Sequence, residues 1–205
     1  LNLYSEVILM DYIELSLNDL KEKSVELANQ IKIDYEPDLI IYIAKGGYLI
    51  GKYISESLNV MLIPVYAERR TNGFKSVVSP LLQVLPNRIK LFFRSLELKS
   101  GVHAVVKKRN VHFKSEDLES LGKVKKILLV DDSVDTGSSV LSIIEEMGKL
   151  KISVEEIRVA ALNVWGKSTG VVKVAYWIFR DTIIITPMSN DSRYHNDFLE
   201  LYNNR

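Results

Sequence analysis

Asp131 and Asp132 stand side by side, and Asp135-Thr136-Gly137-Ser138-Ser139 follows two residues later. Adjacent carboxylates accept hydrogen bonds from hydroxyls and favour a nearby positive charge. A short run of small and polar residues entering a helix offers unpaired N–H groups and the positive end of a dipole to a phosphate. The ligand class that fits both parts carries hydroxyls and phosphate together, as a sugar phosphate does. An ordinary strand–turn–helix with a solvated Asp cluster accounts for the acid pair but not for the loop. A second cluster, Lys45-Gly46-Gly47, has glycines that let backbone amides approach an anion, although such a tripeptide alone is more often just a turn.

Each cluster needs a strand to aim it and a helix to follow it. Ile127 to Val130 is a run too short for a helix and too apolar for a loop; it predicts a buried parallel strand ending at Asp131. Ser138 or Ser139 is the expected cap of the next helix, with Val140, Leu141, Ile143, Ile144 and Met147 on its apolar positions. Leu39 to Ala44 predicts a second buried strand, the Lys45 turn follows, and a helix runs from Tyr48 to about Leu58. Both units would present their clusters at the carboxyl end of a sheet, where open α/β folds bind ligands.

The remaining pattern fits the same α/β class. Tyr12 to Leu15 reads as a short strand; a helix capped by Ser16 or Asn18 runs to about Ile31, with Leu20, Val25, Leu27 and Ile31 as core candidates. Strands are expected at Val60 to Tyr66, Ile157 to Val164, Val171 to Ile178 and Ile183 to Thr186, with Pro64 tolerable only near an edge or at a bulge. Helices are expected at Leu81 to Leu96, from Ser115, and at Tyr194 to Tyr202.

The chain of 205 residues, 47% hydrophobic and 26% charged, fits one globular domain with a full core. No apolar run reaches membrane-spanning length, and the first residues lack the basic region and long apolar core of a signal peptide, so a soluble, cytoplasmic protein is the expectation. Absence of cysteine excludes disulfides, zinc thiolates and a cysteine nucleophile. His103, His112 and His195 show no metal-ligand spacing. The net charge of +1 hides an asymmetry: residues 67 to 114 hold eleven Lys or Arg against two acids, so the rest of the chain carries a balance of −8. Such a segment suits an anion, and nucleic acid is disfavoured because no evenly spaced aromatic platform accompanies the charge.

The order of apolar strand, two acids, two variable residues, then Asp-Thr-Gly and Ser resembles the PRPP-binding signature of the type I phosphoribosyltransferases, closest to those acting on hypoxanthine, guanine or xanthine. The resemblance covers roughly Tyr12 to Pro187 and is strong at the signature. It implies a central, mostly parallel sheet flanked by helices, with a hood, in a single domain spanning 1–205; residues 67–114 would be a flap over the site and 165–205 the hood and closing helix. It implies Mg²⁺-dependent transfer of ribose 5-phosphate from PRPP to a purine base with release of pyrophosphate, usually by a homodimer. Asp131 and Asp132 would hold the ribose hydroxyls with Mg²⁺ nearby, itself bound mainly through substrate. Asp135, Thr136, Gly137, Ser138 and Ser139 would take the 5-phosphate. Lys45, Gly46 and Gly47 resemble the pyrophosphate loop of the hypoxanthine-guanine enzymes, which implies a non-proline cis peptide at Ala44–Lys45.

Asp135 stands where the 6-oxopurine enzymes carry a general base for the purine N7 proton, which favours a 6-oxopurine acceptor; a loop-capping Asp is the alternative. The hood resembles the family least. Members often show a Lys after the strand, then Trp-Ile, then Pro-Trp two residues on. Here Lys167 is displaced by about two residues, Ile183 and Ile184 occupy the second place, and Pro187-Met188 the third, so both tryptophans are missing. Trp177 is expected in the core, with stacking on a base as the lesser alternative. The departures keep two other readings open: a phosphoribosyltransferase with a non-standard acceptor, and a non-catalytic PRPP-sensing regulator.

Overall fold

The computed structural model describes residues 12–69, 108–152, 154–166 and 170–204. The expected helix at 81–96, Lys167 and residues 70–107 of the 67–114 segment lie outside the described residues.

The element order is β1 (Ile13–Glu14), α1 (Leu17–Ile31), β2 (Leu39–Ala44), α2 (Tyr48–Leu58), β3 (Leu62–Arg69), β4 (Arg109–His112), α3 (Ser115–Leu121), β5 (Lys126–Val134), α4 (Ser138–Lys149), β6 (Glu156–Val164), β7 (Tyr176–Arg180), β8 (Ile184–Ile185) and α5 (His195–Asn203). Six strands form one sheet in the order β4-β3-β2-β5-β6-β7, parallel throughout except for β4 against β3; β1 and β8 pair separately in parallel. The expected mostly parallel, helix-flanked sheet is what the chain adopts.

The two central strands bury both faces. In β2, Ile40 and Tyr42 join a core with α1, α2 and α5, whereas Leu39, Ile41 and Ile43 join the opposite core with α3 and α4. Leu128 and Val130 of β5 face the first core and Ile127 and Leu129 the second. Such two-sided burial is why both strands read as unbroken apolar runs.

Several expected boundaries and core positions move. Ser16, not Asn18, caps α1: its hydroxyl accepts from the Asp19 N–H (3.1 Å), and the Asp19 carboxylate accepts from the Ser16 N–H (2.9 Å), a reciprocal capping box. The buried stripe of α1 is Leu20, Ser24, Leu27, Ala28 and Ile31, so Val25, one residue past the stripe, is turned to solvent. In α4, Ile144 is exposed for the same reason, while Val140, Ile143 and Met147 are buried. Strand β3 starts and ends later than expected. Its Pro64 is tolerated because β4 pairs only with Tyr66 to Arg69, leaving β3 a local edge at the proline. Strand β7 is Tyr176–Arg180 rather than Val171 to Ile178, because Val172 and Val174 spend their apolar side chains on the core before pairing with β6 begins.

Polar clamps fix the strands at their amino ends. The Asp38 carboxylate accepts the Lys125 and Lys126 N–H groups (2.9 and 2.8 Å), and the Asp38 N–H donates to the Lys126 carbonyl (2.9 Å). This seats β2 beside β5 in the register Leu39↔Ile127. The Tyr35 hydroxyl lies within bonding distance of the Ile127 and Glu156 carbonyls, and Arg158 bridges Asp34, Tyr176 and Glu156 over the face of the Tyr35 ring.

The two backbone donors, Lys126 first and then Lys125, hold the Asp38 carboxyl below the usual carboxylate range. A lowered folded-state value stabilises the fold above the ordinary value of about 4 and loses that contribution as pH falls through the lowered one. Asp38→Ala should therefore lower stability by roughly 1 kcal/mol at neutral pH, measured by urea unfolding, with the gap narrowing as pH falls below the ordinary carboxylate range.

Candidate active site

The chain turns in opposite directions from β2 and β5: β2 leads to β3 on one side of the sheet and β5 to β6 on the other. A crevice opens outside the carboxyl ends of two parallel strands wherever their connections diverge in this way. Both sequence clusters sit there, Lys45-Gly46-Gly47 after β2 and Asp131 to Ser139 at the end of β5 and the start of α4.

Strand β5 does not stop at the acids. Pairing with β6 continues through Asp131↔Ala161, Ser133↔Asn163 and Val134↔Val164, because the acidic side chains leave the backbone free to go on pairing. The carboxylates are partly buried and tied to the chain itself: Asp131 accepts from the Asp132 N–H (2.9 Å) and Asp132 from the Ser133 N–H (2.8 Å). They are used differently. Asp131 lines a pocket together with Arg109 and the stretch Ser133 to Val140, whereas Asp132 lies against the turn after β2. Burial, followed by the neighbouring charge of Asp132, pushes the Asp131 carboxyl well above the usual carboxylate range. A cation beside Asp131 would offset that repulsion.

Asp135, Thr136 and Gly137 form the loop, and α4 begins at Ser138. The expected serine cap is replaced by Gly137, whose φ of 73° is the left-handed backbone glycine tolerates. A side chain there would also strike Val172, since a Cβ would come within 2.7 Å of its Cγ2. The hydroxyls are ordered within the loop: Ser133 donates to Asp135 Oδ1 (2.6 Å), and the Thr136 and Ser138 hydroxyls meet at 2.7 Å. Gly137 brings no capping side chain, the Ser138 N–H donates to the Thr136 hydroxyl (3.4 Å), and Ser138, Ser139 and Val140 line the pocket, a helix start that suits a phosphate group.

The second cluster meets the first through Gly46. A Cβ on Gly46 would lie 2.7 Å from Asp132 Oδ1, so the peptide backbone occupies the space beside that carboxylate. The peptide Ala44–Lys45 is cis, as the resemblance implied. Lys45 is exposed beside these groups.

The base candidates are placed apart from the loop. Ile183 and Ile184 belong to the separate β1–β8 pairing: Ile13 N–H donates to the Ile183 carbonyl (2.9 Å), and Ile184 pairs with Ile13. Beside them the Asn163 amide donates to the Thr182 carbonyl (2.8 Å), Asn163 pairs in register with Ser133, and Ile184 packs against the core that includes Tyr48 and Val130. Trp177 is not in the core but 39% exposed on the outer strand β7.

Two pocket features escaped the sequence reading. Arg109 was legible only as one charge in a basic run; β4 carries it to the pocket lining, and its backbone N–H donates to Ser142 Oγ of α4 (3.0 Å). Val172 gave no signal beyond its apolar character, yet it closes the back of Gly137.

Comparisons with known proteins point the same way. The chain matches the family described as phosphoribosyl transferase domain over residues 12–193. No curated protein sequence matches it significantly. Among solved structures, purine phosphoribosyltransferase from Pyrococcus horikoshii OT3 superimposes with a TM-score of 0.58 at 20% identity, covering 88% of this chain and 95% of that one. A hypothetical protein from Neisseria gonorrhoeae with bound ppGpp gives 0.62 at 17% identity, covering 95% and 98%. The xanthine-guanine-hypoxanthine phosphoribosyltransferase of Helicobacter pylori gives 0.58 at 14% identity, covering 94% and 99%. At these identities the likeness is one of fold.

Gly137→Ala adds a left-handed non-glycine residue and a clash with Val172, so it should lower stability by roughly 1 to 3 kcal/mol and weaken phosphate binding in the pocket. Urea unfolding and a phosphate titration of the variant check the two effects.

Proposed function

The chain belongs to the phosphoribosyl transferase family, and on that premise we propose that it transfers ribose 5-phosphate from PRPP to a 6-oxopurine, with Mg²⁺, in a cytoplasmic homodimer. The observation that carries this reading is the meeting of Asp131, Asp132, the Asp135–Ser139 loop and the Lys45–Gly47 turn at one crevice. No helix of the described residues is long and apolar enough to cross a membrane.

The reaction breaks the bond between ribose C1 and the pyrophosphate oxygen and forms one from C1 to a base nitrogen. Positive charge develops on the ribose ring between the two events. Asp131 and Asp132 accept hydrogen bonds from the ribose hydroxyls, and their negative charge favours that cation. The N–H groups that open α4, with the hydroxyls of Thr136 and Ser139, take the 5-phosphate, and Arg109 adds a cation at the same pocket. Lys45 and the backbone of Gly46 and Gly47 hold the departing pyrophosphate. Asp135, oriented by the Ser133 hydroxyl, accepts the proton that the base nitrogen releases.

The donor set fits Mg²⁺. Two adjacent carboxylates, one raised by burial and its neighbour's charge, suit an ion that keeps water and substrate oxygens in its shell; among the described residues no cluster of three or more ligating side chains forms a closed cage. Bound between Asp131 or Asp132 and the substrate, Mg²⁺ would neutralise pyrophosphate charge.

One observation favours a non-standard acceptor as the second reading. The hood offers Ile183 and Met188 where the family pattern has its two tryptophans, so the surface that would stack on a purine is different. Pyrophosphate release from PRPP and Mg²⁺, with hypoxanthine, guanine, xanthine, adenine, orotate and uracil offered separately, decides between the two. Release with an oxopurine alone is the expected result; release with none of the six contradicts the proposal. With the active base, Asp135→Asn should lower kcat by at least about 100-fold while leaving PRPP affinity nearly unchanged. An undiminished kcat would remove Asp135 as the base.

A further inference from the structure

Lys45 carries the charge of the turn after β2, and its ammonium lies 5.6 Å from the centroid of the Tyr202 ring. Tyr202 belongs to α5, the helix nearest the end of the chain, and is 7% exposed. The ring is held from several sides. Tyr48, the residue that follows Gly47, meets it edge-on at 5.1 Å and 86°, and Phe198 packs at 5.4 Å. Tyr48 in turn rests on Tyr42 of β2 at 5.4 Å. The strand before the turn, the helix after it and α5 thus build one aromatic base beneath Lys45.

A lysine's long side chain carries much rotamer entropy, which fixing its ammonium removes. A carboxylate partner would fix it but cancel the charge and have to be displaced by an incoming anion. An aromatic face attracts the ammonium without neutralising it. Among the described residues Lys45 forms no ion pair, so its charge stays available while the ring restricts its position.

We propose that Tyr202 is a positioning residue for anion binding: its ring holds the Lys45 ammonium toward the pyrophosphate group of PRPP, which makes α5 part of the site. The inference rests on Lys45-Gly46-Gly47 being the pyrophosphate turn.

The test uses the full chain and titrates Mg²⁺-pyrophosphate and, separately, ribose 5-phosphate by calorimetry. Tyr202→Leu should weaken pyrophosphate roughly three- to tenfold and leave ribose 5-phosphate unchanged, with the KM for PRPP raised and kcat nearly constant. Tyr202→Phe, which keeps a ring face, should restore most of the loss. A pentafluorinated phenylalanine at 202 keeps the shape but reverses the ring's charge distribution, and should behave like Tyr202→Leu; it decides the matter should the leucine variant not fold. In a Lys45→Met background, replacing Tyr202 should have no further effect on pyrophosphate. Wild-type affinity in Tyr202→Leu or the fluorinated variant, or an equal loss in the Lys45→Met background, overturns the inference. If the unmodified chain binds no pyrophosphate, or Lys45→Met binds it as well as the unmodified chain, the reading of the turn itself fails and the inference with it.

Discussion

The ligand-facing edge of this fold depends on how closely β2 and β5 approach at their carboxyl ends. Gly46 lies so near the Asp132 carboxylate that a single added carbon would collide with it. Any larger residue would push the Lys45 turn away from the acid pair and open a gap between the two halves of the site. Close approach also explains the unusual charge balance. Two carboxylates are crowded where the sheet ends, and burial, followed by the charge of Asp132, holds Asp131 toward its protonated form. Raised in the folded state, that carboxyl lowers stability as pH rises past its unfolded value. A fold that keeps such a pair accepts local instability where a cationic or hydroxyl-rich partner would relieve it.

The opposite end of the sheet is built on contrary terms. Asp38 and Tyr35 satisfy backbone groups where β2, β5 and β6 begin, and Arg158 ties the Glu156 side chain to Asp34 and Tyr176. Register is settled there, by short polar contacts far from the crevice. The carboxyl ends then carry the start of α4 and the Lys45 ammonium, both suited to an anion. A slip of one residue between β2 and β5 would turn every core side chain to the wrong face, so the amino-end clamps protect the geometry of the site as well as the stability of the sheet.

Much of this arrangement was legible because the central strands are buried on both faces. Their apolar runs and the polar residues that interrupt them mark the edge of the sheet directly, and β2, α2 and the loop at Asp135 lie where the pattern puts them. Legibility fails where position is set by contacts distant in sequence. The end of β5 depends on pairing with β6, so acidic residues did not end the strand. Val172 is apolar for the sake of Gly137, and it was taken for part of a strand. Arg109 gains its place through β4 and α4, and Tyr202 through a helix more than 150 residues from Lys45 in the chain. Trp177 had been expected inside, but an outer strand with an open edge leaves its ring at the surface.

The central claim is that the crevice between β2 and β5 is a PRPP site. Calorimetric titration of the chain with PRPP, with and without Mg²⁺, tests it most directly. Saturable one-site binding that tightens when Mg²⁺ is present is the result this account predicts. No heat of binding at millimolar PRPP with Mg²⁺ present would contradict it.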